Sequence, residues 1–417
     1  MKSAILAVGT ELLFGKVVNT NAAYLSQELN NMGIDVIYHY TMGDNPERLR
    51  RVLEFAMQDC DLVLCTGGLG PTEDDLTKET ICEFFDDKLV LNQEAMDSMV
   101  KFFGSLGRQF TENNYKQAYM PENGTVFQNG AGTAPGFAVE KDGKYIICMP
   151  GVPREMKYMF EHEVKPFLMK LSDAHIYSKN LKVFGLGEST VETRLLHLID
   201  GQTDPTIATY AKEGEVEVRI TSKRTTLEEA QAAVDKMVDE VLDAIGLYIY
   251  STEGKEIYEE VAQKLFDRNI TISCCESPTA GIFSASLAKV PGISKVFDRG
   301  LVTYSPRSKM DEVGLEAGTE ALIMPYGEAA ARMMAQNLQM KTKSRLCIAI
   351  SGVAGPDMIG DLKPGTYFIS IIFDGKQTTK KFFHHGRTRQ MNREFMALTM
   401  FDMINRVLDD KELIDMW

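Results

Sequence analysis

Two stretches concentrate side chains that can do chemistry. The first, CTGGLGPTEDDLT at 65–77, places Gly67, Gly68 and Gly70 after a buried apolar run and before a helical pattern. Glycines there let a ligand approach the backbone N–H groups, and together with a helix N-terminus they suit a phosphate. Glu73, Asp74 and Asp75 follow at once. Acids beside a phosphate repel it unless a hard divalent cation lies between them, so this excess of carboxylates predicts a metal-assisted nucleotide site. The plain alternative is a tight turn in which Thr72 caps the helix with Asp75 at its third position. The loop is neither a Walker A sequence nor a dinucleotide fingerprint. The second stretch, SCCESPTAG at 273–281, sets Ser277 before Pro278 at what reads as the mouth of a helix. A serine there is either a nucleophile on a turn or a cap followed by proline at the first helical position.

The surrounding pattern must position both stretches. SAILAVG, IDVIYHY and DLVLCTGG read as strands, separated by the helical segments NAAYLSQELNNMG and PERLRRVLEFAMQ. That alternation predicts a parallel sheet covered on both sides, ending in the helix REMKYMFEHEVKPFLMKL near Leu171. From 172 to 252 the order strand, helix, strand, strand, helix predicts a small α+β module, its two central strands joined at Glu213-Gly214, followed by STEGKE as a linker. From 253 to 417 helices and strands alternate again, with two further strands in TYFISIIFDGKQTTKKFFHH and a last helix from about Arg389. The expected organisation is an α/β domain at 1–171, the small α+β module at 172–252 and a second, three-layer αβ domain at 253–417, with no internal repeat.

Composition narrows the class. The 417 residues carry a formal net charge of −14, which argues against a surface that coats nucleic acid and favours small-molecule partners. The seven cysteines show no zinc spacing and read as reduced, mostly buried thiols. No run of about 18 apolar residues and no signal-peptide pattern occur, so a soluble cytoplasmic protein without a membrane partner is expected.

Several motifs, taken in order, resemble one family. TGGLGPTEDDLT, GTELLFG, NTNAAYL, GTAPGF at 132–137 and MPGVPREM at 149–156 are similar to the N-terminal domain of competence/damage-inducible protein A (CinA), whose fold is that of the molybdopterin-binding MogA/MoaB proteins. The resemblance implies ADP-ribose pyrophosphatase activity with a divalent metal (Mg, Mn or Co). It puts Asp75 and Asp44 in catalytic and metal-binding roles, Asp74 beside them on the metal, and Thr66, Gly67, Gly68, Gly70, Glu11 and Asn21 on the ligand. Many members carry an acid where this chain has Thr10. The middle module resembles the family's KH-like module. Its glycines read Gly185-Leu186-Gly187-Glu188, unlike the GXXG loop that grips RNA, and acids follow, so packing or dimerisation is the expected role.

ESPTAG, VTYSPRSKMDEVGL and SGVAGPD resemble the CinA C-terminal domain, which implies nicotinamide mononucleotide deamidation without a cofactor. Amide hydrolysis needs a nucleophile, a base, oxyanion donors and, for a nucleotide, a phosphate clamp. Ser277 is the candidate nucleophile, with Lys309 or Tyr304 relaying its proton; His384 and His385 fall on a late strand. Thr279, Ser351, Gly352, Gly355, Arg389 and Arg393 are the candidate ligand contacts. Against the family pattern, Pro278, Ala280, Ser351 and Asp357-Met358-Ile359 are departures. The expected function is thus a two-headed hydrolase of pyridine nucleotides, a homodimer by resemblance. Its alternative is a nucleotide- or pterin-binding scaffold of competence or damage responses with an inactive C-terminal domain.

Overall fold

A computed structural model describes residues 1–105, 107, 111–171, 175–212, 214–384 and 388–414. The chain divides into two compact units, one of 1–177 with 223–230 and one of 178–222 with the chain from 231 onward.

In the first unit β1 (Lys2–Val8), β2 (Asp35–Met42) and β3 (Leu62–Thr66) form the start of a sheet. A short hairpin of β4 (Leu89–Leu91) and β5 (Tyr119–Pro121) stands apart, and β6 (Thr125–Phe127), β7 (Gly136–Lys141) and β8 (Lys144–Met149) complete the sheet in the order β2-β1-β3-β8-β7-β6. Pairing is parallel from β2 to β8 and antiparallel at β8-β7-β6, so the all-parallel expectation fails at one edge. The reason is local: Asp142-Gly143, both at positive φ, close a tight hairpin between β7 and β8, where a parallel pair would need a crossover. Alternation along β1 feeds two cores. Ala4, Leu6 and Val8 pack with Leu49 and Leu53 of helix Pro46–Asp59, whereas Ile5 packs with Leu25 and Leu29 of helix Thr20–Asn31.

The second unit begins with the middle module. Here β9 (His175–Phe184), β10 (Thr206–Lys212), β11 (Glu215–Arg224) and β12 (Ile249–Ser251) make a sheet in the order β10-β11-β9-β12. Gly214 lies between β10 and β11, while Glu213 lies outside the described residues. The linker reading gives way at its first residue, since Ser251 belongs to β12.

The remaining sheet has β13 (Ile272–Glu276), β14 (Phe297–Val302), β15 (Leu346–Val353), β16 (Thr366–Phe373) and β17 (Lys376–Phe383) in the order β14-β13-β15-β16-β17. β13 pairs parallel with both β14 and β15, and the last two strands run antiparallel. Helices Ile257–Asp267 and Arg389–Leu408 cover one face through Val261, Leu265, Met396 and Met400; helix Glu328–Thr342 covers the other through Ala330, Met334 and Leu338. Among the described residues no helix is long and apolar enough to cross a membrane.

Candidate active site

β14 and β15 lie on opposite sides of β13, so their connections leave a crevice at the carboxyl ends of β13 and β15, where open α/β sheets place ligands. A cavity of about 310 Å³ opens there, lined by Ser277, Tyr304, Tyr326, Gly352, Gly355 and Arg389 among others. Ser277 is the first residue past β13 and Gly352 is near the end of β15.

Lys309 reaches Ser277 from below. It is fully buried on helix Pro306–Val313, which Ser305 opens as a capping box. Its Nζ donates to Ser277 Oγ at 3.1 Å and to the Pro325 carbonyl at 2.7 Å, and lies 4.9 Å from the Tyr326 ring centre. Burial lowers its pKa from the ordinary lysine value to about 8, so a proton-accepting amine is present near neutrality. Of the two predicted relays, Lys309 touches the serine. The Tyr304 hydroxyl instead accepts from Arg389, which also donates to the Gly355 carbonyl.

Ser277 does not cap a helix. The next helix starts at Ile282, five residues on, with Gly281 as N-cap at φ 94 and Ala280 at φ 49. Glu276 takes the capping role, and sequence reasoning missed it. This fully buried carboxylate accepts from the N–H groups of Gly281, Phe283 and Ser284 at 3.0, 3.1 and 2.9 Å and from Ser284 Oγ at 2.6 Å. The signal for it was an acid closing an apolar strand, a position that burial forbids unless donors converge on it.

Three other candidates stand behind the cavity. Arg393 donates to the Pro278 and Thr279 carbonyls at 3.1 and 3.0 Å, bracing the serine loop. Ser351 Oγ donates to the same Pro325 carbonyl as Lys309. Thr279 is buried, its hydroxyl without a partner among the described residues. Asp357 does line the cavity but is exposed, where repulsion of a phosphate about 4 Å away is worth only about 1 kcal/mol. His384 is buried against Tyr367, whose hydroxyl it meets at 2.8 Å; His385 lies outside the described residues.

The first unit holds a second cleft, of about 510 Å³. Glu11, Asn21, Thr66, Gly67, Gly68, Gly70 and Asp75 all line it. Gly67 at φ 103 packs against the Val8 carbonyl, where a Cβ would collide, so the turn after β3 needs glycine there. Thr72 is not the cap of the following helix, which starts at Thr77; its N–H and Oγ1 donate to Asp75 Oδ2 at 3.0 and 2.5 Å within the loop. Lys116 ties that loop down through the Thr72 and Asp75 carbonyls.

The expected metal set of Asp44, Asp74 and Asp75 is not gathered. Asp44 accepts from Thr10 Oγ1 at 3.0 Å, so the Thr10 departure has a partner of its own, and neither Asp44 nor Asp74 is among the lining residues. Asp74 is exposed. Among the described residues no group of three or more His, Cys, Asp or Glu could hold a metal ion. Of the three carboxylates that line the cleft, Glu11, Asp75 and Glu155, the first two suit a Mg²⁺ that keeps most of its coordination on water and ligand phosphates.

Three domain models match the chain in succession. Residues 4–170 match a probable molybdopterin binding domain, 178–251 the damage-inducible protein CinA KH domain and 254–408 the CinA C-terminal domain. A CinA-like protein of Dictyoglomus turgidum is 42% identical over 412 residues, 98% of this chain and 99% of that one. The chain belongs to the CinA family. Among solved structures, CinA of Thermoplasma acidophilum is 32% identical, covering 40% of this chain and 96% of that one with a TM-score of 0.37. MoaB of Thermus thermophilus is 19% identical, covering 41% and 94% with a TM-score of 0.29. By the domain models the chain carries a molybdopterin-binding-like α/β domain, a KH-like module and a CinA C-terminal domain.

Proposed function

We propose that the second unit hydrolyses the carboxamide of nicotinamide mononucleotide, and that the buried Lys309 amine on the Ser277 hydroxyl carries this reading. Neutral Lys309 takes the Ser277 proton as Oγ attacks the carboxamide carbon. The ammonium form then returns that proton to the departing nitrogen, so ammonia leaves and an ester to Ser277 remains. Water, deprotonated by the same amine, cleaves the ester to nicotinate mononucleotide. Arg389, the basic side chain in the cavity lining among the described residues, offers the phosphate contact. Arg393 and Glu276 hold the Ser277 loop without touching substrate.

For the first unit the same proposal includes ADP-ribose pyrophosphatase activity. Glu11 and Asp75 would hold the divalent metal with the ligand's phosphates, and the Gly67–Gly70 loop would receive those phosphates. The metal would supply charge neutralisation at the pyrophosphate. A cytoplasmic homodimer completes the reading, with sedimentation as the check on assembly. The test incubates the protein with nicotinamide mononucleotide, and separately with ADP-ribose and Mg²⁺, Mn²⁺ or Co²⁺. Ammonia from the first and AMP from the second are expected. Neither product above blank, with ligand-induced thermal stabilisation still present, would leave the binding scaffold as the function.

A further inference from the structure

One wall of the first cleft carries polar groups that phosphate binding leaves idle. Asn21 is 8% exposed and lines the cleft. Its Nδ2 donates to Thr66 Oγ1 at 3.0 Å and to the Gly151 carbonyl at 2.8 Å. A carbonyl only accepts, so the amide orientation is fixed and Oδ1 is left buried without a partner. Four residues past Gly151, Glu155 also lines the cleft on helix Pro153–Met159. Asn129 Nδ2 holds one of its carboxylate oxygens at 2.7 Å and is itself anchored on the Ala134 carbonyl. Gly132 packs so closely on that carboxylate that a Cβ would overlap it. Burial raises the Glu155 carboxyl above its ordinary value.

Among the described residues no Lys, Arg or His lines this cleft. At this wall the groups on offer therefore accept hydrogen bonds, and a phosphate, which also accepts, has nothing to gain there. An unpaired buried acceptor costs free energy until a donor reaches it. On the reading of this cleft as a nucleotide site, we propose that Asn21 and Glu155 form a subsite for the uncharged, hydrogen-bond-donating end of the ligand. Two neighbouring O–H or N–H donors fit it: a ribose hydroxyl pair or the amino-imino edge of a heterocyclic ring. The phosphates then face the Gly67–Gly70 loop, and the two side chains determine specificity.

The test is Glu155→Gln, whose amide keeps the Asn129 hydrogen bond through its oxygen and turns an NH₂ into the cleft. Wild type and variant are titrated calorimetrically, with Mg²⁺ present, against ADP-ribose, inorganic pyrophosphate, ribose 5-phosphate and pterin. The variant should lose about tenfold or more in affinity for ADP-ribose and for one of the last two, while pyrophosphate binding stays within about twofold. A response to ribose 5-phosphate assigns the hydroxyls; a response to pterin assigns the ring edge. Unchanged affinity for all donor-bearing probes, no binding of them to wild type, or a parallel loss of pyrophosphate overturns the proposal. Should the variant not fold, wild type is titrated with 2,3-dideoxyribose 5-phosphate and an N-methylated pterin, and undiminished affinity for both overturns it instead. Donor-dependent binding without any ADP-ribose turnover keeps the subsite and removes the pyrophosphatase reading alone.

Discussion

Burying an amine beside a hydroxyl has two opposite consequences at Lys309. For catalysis the neutral form is the useful one, so the deamidation rate should climb as pH rises toward and through about 8 and level off above it, read from a pH-rate profile. For stability the sign reverses at neutrality. The folded chain holds this proton more weakly than the unfolded one, so unfolding free energy rises with pH between about 8 and the ordinary lysine value, and the penalty is fully present at pH 7. A shift of this size corresponds to about 3 kcal/mol. Lys309→Met should therefore abolish deamidation and yet melt no lower than wild type at pH 7 by calorimetry. A lower melting temperature would mean that the amine's bonds to Ser277 and Pro325 outweigh its desolvation. Ser277→Ala should likewise be inactive and cost at most about 1 kcal/mol, because the Lys309 Nζ keeps its bond to Pro325.

At the scale of elements, the turn from β13 into helix Ile282–Leu287 is held by Glu276. Removing that carboxylate orphans the buried Phe283 N–H and the part-buried N–H groups of Gly281 and Ser284, so Glu276→Ala should destabilise by about 3 kcal/mol in urea unfolding and silence Ser277 at once. Ala280 sits in this turn at φ 49, a conformation that costs a side chain about 1 kcal/mol, so Ala280→Gly should stabilise by roughly that amount. This turn also marks where sequence reading stopped. The strands were legible because β13 and β15 are short and mostly apolar, and Ser277 with Lys309 could be paired by the chemistry they share. What a linear pattern does not show is that two left-handed residues delay the helix, which shifts the cap from Ser277 to its neighbour. In the first unit the glycine loop and Asn21 were legible as a group, and the structure brings them to one cleft. Asp44 and Asp74 do not line the cleft, and neither a resemblance nor acidity in a linear pattern tells an inward carboxylate from one turned to water or to Thr10. Glu155 was overlooked because its environment comes from Asn129 and Gly132, more than 20 residues away in sequence.

At the scale of the molecule, the KH-like module and the C-terminal domain share one core. Phe184 of β9 lies 5.2 Å from Phe395 between ring centres, and Lys182, almost fully buried, pairs with Glu217 at 3.0 Å and Glu256 at 3.2 Å. Calorimetry should accordingly show two transitions, with the module melting together with the C-terminal domain. Phe184→Ala should lower the second unit by about 3–5 kcal/mol and leave the first where it was. The two units carry their own reporters of such events. All seven cysteines are free and buried, with Cys60, Cys65, Cys82 and Cys148 in the first unit and Cys274, Cys275 and Cys347 in the second. A soluble alkylating reagent reaches them only when the surrounding structure opens, so its rate of uptake at each thiol, followed by peptide mass spectrometry, reads the opening free energy of each unit in the unmodified chain. Ligand added to one cleft would slow alkylation in that unit alone, which makes the thiols an internal map of where a nucleotide binds.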